Sequence, residues 1–254
     1  LGSTATNNPN SFITNVAPVT APAVTNPCIS AVTVQWSLPV NYDADGQEIV
    51  VFAKQGSAVT VGTPTITVGS YTADNDFSGS GTAYQNDAAA KCIFKGDASN
   101  VNVIGLSTGV TYHFLILAVR DTNIAGSEMY STAATTNGAT IATPGNITFG
   151  ATTANDKQLT LNWTNTLTCF DEVLIIAKEG SAVTFSAPTG DGTDYTANGV
   201  FATTGTDANL VSNEFAVFKG NGTSAVITGL TNNVTYHFRA FTRKDNIWSV
   251  ATFP

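Results

Sequence analysis

Apolar and polar residues alternate with period two along much of this chain. In AVTVQWSL at 31–38, Val32, Val34, Trp36 and Leu38 share one face, with Thr33, Gln35 and Ser37 opposite. QLTLNW at 158–163 repeats the pattern with Leu159, Leu161 and Trp163. In VTYHFLILAV at 110–119, Val110, Tyr112, Phe114, Ile116 and Ala118 point one way, and Leu115, Leu117 and Val119 the other. A period of two predicts strands half buried against a core. No stretch keeps a helical period. Breaks rich in Gly and Asn separate the runs, and many short strands joined by turns make a sandwich or barrel. In the first half, strands are expected at 18–26, 31–38, 47–54, 64–72, 91–96, 100–105, 109–120 and 128–135. The polar stretch 73–90 is expected to be a surface excursion.

The chain then repeats itself. YTADNDF at 71–77 returns as YTANGVF at 195–201, VFAKQGSAVT at 51–60 as IIAKEGSAVT at 175–184, and LSTGVTYHF at 106–114 as LTNNVTYHF at 230–238. Lys54 and Lys178, Tyr71 and Tyr195, and Tyr112 and Tyr236 are each 124 residues apart. So long a period is a domain, not a solenoid turn. A chain of 254 residues accommodates two such domains of roughly 110 residues, each with its own core. The expected division is a tail at 1–17, a module at 18–137, a linker at 138–144 and a module at 145–254.

Composition narrows the partners. Only 11% of residues are charged and the net charge is −8. Phosphate backbones need clustered Lys and Arg, so nucleic acid is excluded as a partner. No apolar run reaches the length of a membrane-spanning helix. Small polar residues cover the surface, as in secreted bacterial proteins. The chain opens at Leu1, which fits a removed signal peptide and an excised fragment alike.

A Trp on the second strand, followed by Leu-x5-Tyr leading into the sixth, occurs twice: Trp36 with Leu106 and Tyr112, and Trp163 with Leu230 and Tyr236. In this the chain resembles the fibronectin type III family over about 18–137 and 145–254. The YTA motif, followed by IFKG or VFKG, looks like a variant found in bacterial surface proteins. The resemblance implies an all-β fold of two tandem immunoglobulin-like sandwiches, each of two antiparallel sheets. No Arg-Gly-Asp tripeptide is present, so integrin recognition is not carried over. In that topology Cys28 and Cys92 lie at the same end of the first sandwich. The expected disulfide is Cys28–Cys92, with Cys169 free.

Several residues are candidates for contact or chemistry. The uncharged, β-prone SFITNVA at 11–17, with Phe12, Ile13 and Val16, suits addition to an open sheet edge. Its alternative is packing on its own first module. Leu115, Leu117 and Val119 form an apolar stripe where the second copy has Arg239, Phe241 and Arg243. Such a stripe marks a protein contact, within the chain or with another; its alternative is coverage by the excursion at 73–90 or by the tail. Asn41, Asp43 and Asp45, with Gly46 behind them, match the first half of a calcium loop, but Phe52 stands where the closing acid belongs. A turn built by Asp and Gly explains the same residues. His113 and His237 occupy equivalent positions on separate modules and point outward. Asp74 with Asp76, and Asp191 with Asp194, lie in loops with nothing to separate their pKa values. Tyr42 and Trp248 are the aromatic candidates for stacking on a sugar.

With no nucleophile, metal set or acid–base pair, the expectation is a non-enzymatic, extracellular or cell-surface structural protein without cofactor. Its partner is expected to be further copies of itself, assembling a filament by strand addition through the tail. The competing expectation is an accessory spacer or carbohydrate-binding module of a larger secreted enzyme.

Overall fold

The computed structural model describes residues 16–64, 67–120, 128–165, 169–203 and 210–254. The chain separates into two compact units, 1–140 and 141–254.

In the first unit, β1 (Thr20–Thr25), β2 (Val32–Ser37) and β6 (Asn100–Val103) form one sheet in the order β1-β2-β6. The other runs β4 (Ala83–Tyr84), β5 (Asp87–Gly96), β3 (Gln47–Gln55), β7 (Thr111–Arg120), with β8 (Met129–Tyr130) and β9 (Ala134–Ala139) both pairing with β7. All pairings are antiparallel. Val32, Val34 and Trp36 of β2 face the core between the sheets, as their alternation requires. β9 runs two residues into the stretch expected as linker.

The second unit repeats this plan. One sheet has β10 (Ile147–Phe149), β11 (Thr153–Asn155), β12 (Gln158–Asn165) and β15 (Ser224–Thr228), with β10, β11 and β15 all pairing with β12. The other runs β14 (Glu214–Gly220), β13 (Glu172–Glu179), β16 (Tyr236–Lys244), β17 (Ile247–Trp248).

The strand expected at 64–72 is not one; among its described residues there is only a short 3-10 turn at Val68–Ser70. The place beside β3 belongs to β5, whose run is apolar on both faces. Ala90 and Cys92 point outward, while Ile93 and Phe94 point to the core. Two successive residues face the core because β5 carries a bulge: Val51 pairs with Phe94 but Phe52 with Cys92. A bulge inserts one unpaired residue and re-aims its neighbour. It sets Phe94 against Trp36, ring centroids 5.4 Å apart. The second unit has the same bulge, between Ile175–Phe218 and Ile176–Ala216, and the same Trp163–Phe218 contact at 5.0 Å. This is what IFKG and VFKG encode.

The repeated YTA motif is a strap. Tyr71 buries on the outer face of the larger sheet and Phe77 packs into the inner core. Between them Asp74 N–H donates to Cys92 O of β5, and Phe77 N–H donates to Ile104 O just beyond β6. Asn198 and Phe201 make the equivalent bonds to Ala216 O and Thr228 O. The strap thus seals the side of each sandwich where the edges of β5 and β6, or β14 and β15, would otherwise lie bare. Gly105 and Gly229, with φ of 69° and 74°, turn the chain where the strap crosses.

Tyr112 and Tyr236 fix the start of the strands they open or enter. Their hydroxyls accept the N–H of Ser107 (2.8 Å) and Thr231 (2.9 Å). A tyrosine tied back to the backbone upstream is a known signature of immunoglobulin-like sandwiches.

Candidate functional site

The apolar stripe of β7 is the first place to look, and it is covered. Leu115, Leu117 and Val119 are at most 1% exposed. The chain between β3 and β5 folds back over the outer face of the larger sheet as a cap. Val59, Val68, Tyr71 and Tyr84 pack there with Val50 and Phe52. Phe52 meets Tyr71 at 4.9 Å and Tyr84 at 4.4 Å. The stripe is therefore a contact within its own module and offers no surface to another chain. In the second module Val183, Phe185, Tyr195 and Trp248 cover Leu174, Ile176 and Phe241 in the same way.

Each cap is pinned by a carboxylate near the cap's return to the sheet. Asp87 takes a 2.8 Å bond from Lys54 and a 2.9 Å bond from Thr60 N–H. Lys54, ahead of Thr60, holds its carboxyl down at about 2. Glu214, its side chain wholly buried, takes bonds from Lys178 (3.1 Å), Thr184 N–H (2.6 Å), Thr184 Oγ1 (2.7 Å) and Phe185 N–H (3.0 Å). Burial pushes its pKa up, but the Thr184, Lys178 and Phe185 donors outweigh it and hold the carboxyl below its ordinary range. Lys54 and Lys178, and Thr60 and Thr184, are equivalent in the repeat. The two acids are not, yet they reach the same partners. A second lysine fastens the cap's middle: Lys95 donates to Val68 O, and Lys219 to Gly192 O and Tyr195 O.

The remaining sequence candidates fall as follows. Phe12 and Ile13 lie outside the described residues. Val16 is buried in the first module's inner core. Asp43 organises a turn: its carbonyl accepts the N–H of Gly46 and Gln47, and its carboxylate accepts Asp45 N–H at 3.3 Å. Asn41 sits at a φ of 61°. Among the described residues no three His, Cys, Asp or Glu groups converge as a metal set. The expected Cys28–Cys92 disulfide is not made. Cys92 is a free thiol, buried under the cap, and burial pushes its pKa up to about 12. The bulge explains this, since it turns Cys92 to the outer face of β5, under the cap. Cys28 and Cys169 are each disulfide-bonded, so Cys169 is not the free thiol it was expected to be.

Trp248 is spent on the cap, with its indole N–H on Gly190 O at 2.9 Å. Tyr42 donates to Gln47 O and Asp97. Where the first module has Leu115 and Val119, Arg239 donates to Phe185 O and lies over the Phe253 ring, while Arg243 binds Glu172 at 2.8 Å. Asp74 and Asp76 accept the N–H groups of their own loop, from Asp76, Ser78 and Ser80. A hollow of about 420 Å³ in the second module is lined by Glu179, Phe201, Asn213 and Phe215. Its carboxylate is already engaged by the Tyr236 hydroxyl.

Sequence reasoning allowed that the 73–90 excursion could cover the stripe, but missed that the cap begins near Val59 and missed the clamps. A signal was present: IVVFA at 49–53, FLILAV at 114–119 and VLIIA at 173–177 are continuous apolar runs. Such runs mark strands buried on both faces.

No family model matches the sequence, and no curated protein matches it. Among solved structures, a segment of two fibronectin type III domains from chicken tenascin is 16% identical, covering 93% of this chain and 97% of that one at a TM-score of 0.30. The sixth fibronectin type III domain of human fibronectin type III domain containing protein 3 is 16% identical, covering 50% and 88% at 0.29. At that identity and overlap the fold assignment stands on strand order instead. No helix among the described residues is long and apolar enough to cross a membrane. Two antiparallel sheets per unit, the Trp–Phe core contact and the tied-back Tyr, all present twice, make this chain a tandem of sandwiches similar to fibronectin type III modules.

Proposed function

We propose that this chain is a non-catalytic structural or adhesive element of an extracellular, bacterial cell-surface assembly. The observation that carries this reading is what the two copies share. Bulge, strap, tied-back tyrosine and cap clamp recur, and all of them are packing devices. A repeated binding chemistry would instead preserve exposed polar or aromatic groups. The equivalents of exposed residues differ freely: Ser78 is replaced by Ala202, and Asn102 by Val226. Two rigid modules with dissimilar surfaces suit a spacer or subunit better than a catalyst.

In the finer reading the chain is a filament subunit in which the part of 11–17 that precedes Val16 adds as a strand to a neighbouring copy. Val16, anchored in the first module's core, places the β-prone SFIT directly beside a fixed point. Short tethers of this kind raise the local concentration of a donor segment. Electron microscopy of native material, against a variant lacking residues 1–15, tests it. Filaments that vanish on deletion support strand addition. Monomeric particles in both samples remove the filament reading and leave a spacer or carbohydrate-binding accessory module, for which a glycan array is the next measurement.

A further inference from the structure

Three Asn-Gly pairs occur in this chain, at 137–138, 198–199 and 221–222. Glycine has no Cβ to shield its amide nitrogen, so these are the places where that nitrogen can attack the preceding side chain. Tertiary structure treats the three differently. Asn137 lies in β9, paired with His113, and Gly138 is paired with Tyr112 and packed on Val24. Asn198 is in the strap, where its N–H is bound to Ala216 O and its Oδ1 accepts Val200 N–H. Asn221 stands in the turn between β14 and β15, and all of 221–224 is exposed. Among the described residues its side chain makes no hydrogen bond, and Gly222 N–H donates to none.

From this we infer that Asn221 is a site of spontaneous covalent modification: deamidation through a succinimide formed with Gly222. The Gly222 amide nitrogen attacks Asn221 Cγ as its proton is lost. The new N–Cγ bond replaces Cγ–Nδ2, and the side-chain nitrogen leaves as ammonia. Water then opens the ring at either carbonyl, giving aspartate or isoaspartate. Solvent is the only co-reactant. The aspartate product restores the pattern of the first module, where Asp97 occupies the equivalent turn and accepts the Tyr42 hydroxyl at 2.7 Å. The isoaspartate product adds a backbone atom to the turn that leads into Thr223, whose carbonyl accepts Trp163 N–H at 3.0 Å. A long-lived extracellular protein would thus age first at one turn of its second module.

The test is to hold the full chain in warm, mildly alkaline buffer made with heavy-oxygen water, then map its peptides by mass spectrometry. Incorporated label separates conversion during incubation from conversion before it. The expected result is aspartate and isoaspartate in the Asn221 peptide, severalfold ahead of the Asn137 and Asn198 peptides. Gly222→Ala should slow it severalfold. Gly222 is not at positive φ, and a Cβ there meets the Phe218 ring at 3.3 Å and Ser224 O at an ordinary 3.7 Å. Comparable rates at all three sites, or a stable Asn221 in a chain whose strap asparagine converts, would overturn the proposal.

Discussion

Leu117→Ala separates a covered sheet face from an exposed one. On an open surface the change would cost no more than about 0.5 kcal/mol. Leu117 is instead 1% exposed and sits among Phe52, Tyr71, Tyr84, Leu115 and Val119. Removing a buried leucine side chain costs the transfer free energy of the lost atoms and leaves a cavity, about 2–5 kcal/mol together. The aromatic rings at the site are stiff and will collapse little, which favours the middle of that range. With a urea slope of about 1–3 kcal/mol/M, a loss near 3 kcal/mol moves the midpoint down by about 1–3 M. The assay must report the first module alone, and Cys92 provides it. It is the free thiol, it is buried in the same cluster, and Cys28 and Cys169 are bonded. Thiol labelling across a urea series therefore follows the opening of this module. Val40→Ala, at a residue 82% exposed, is the control and should leave the midpoint in place. A Leu117→Ala midpoint as unchanged as the control's would refute the cap.

Three further outcomes are expected. The Asp87 carboxyl is held below its ordinary value of 3.8, at about 2. A depressed carboxylate stabilises the fold fully above its unfolded pKa, and the stabilisation is lost as pH falls through the folded one. The first cap should therefore loosen between about pH 4 and pH 2, seen as faster amide exchange around Thr60, and Asp87→Asn should flatten that profile. Tyr112→Phe should destabilise the first module by about 0.5–1.5 kcal/mol, because it strands the Ser107 N–H; the same urea titration measures it, and no shift would deny the tie a role. Gly138→Ala places a Cβ 2.5 Å from the Val24 side chain, and a β-branched neighbour in a strand yields poorly, so a loss of about 1–3 kcal/mol is expected. A neutral Gly138→Ala would mean that β1 and β9 do not approach so closely.

Much of the architecture was legible from the chain alone, for identifiable reasons. Strand alternation is a local property, so the faces of 31–38 and 158–163 could be read directly. The repeat was legible because two copies of one fold keep the same core positions at the same spacing. The Trp and Tyr motifs were legible because each marks a fixed place in a sandwich. Local patterns could not decide between competing partners for a strand. TPTITVGSY at 64–72 alternates well enough to be a strand, yet it loses the place beside β3 to 87–96. Only the latter can bury both of its faces there, and that comparison needs the whole sheet. The same holds for Cys92. The IFKG beside it, repeated as VFKG, reads as a bulge only once its partner strand is in place, and the bulge sends the thiol under the cap instead of toward a disulfide.

The sequence by itself thus determined the all-β class, the two modules and most strand faces, because period and repetition are written in consecutive residues. Tertiary structure decided what each second face meets. Leu115, Leu117 and Val119 look like an open stripe along one strand, and become core only when a distant segment folds over them and a buried carboxylate pins it there. The physical reason is that burial depends on what else the chain can bring to a surface, and loop closure over tens of residues costs little entropy beyond that of a shorter loop. The apolar run at 114–119 records that a second face has to be covered, but nothing local to it records which segment closes over it.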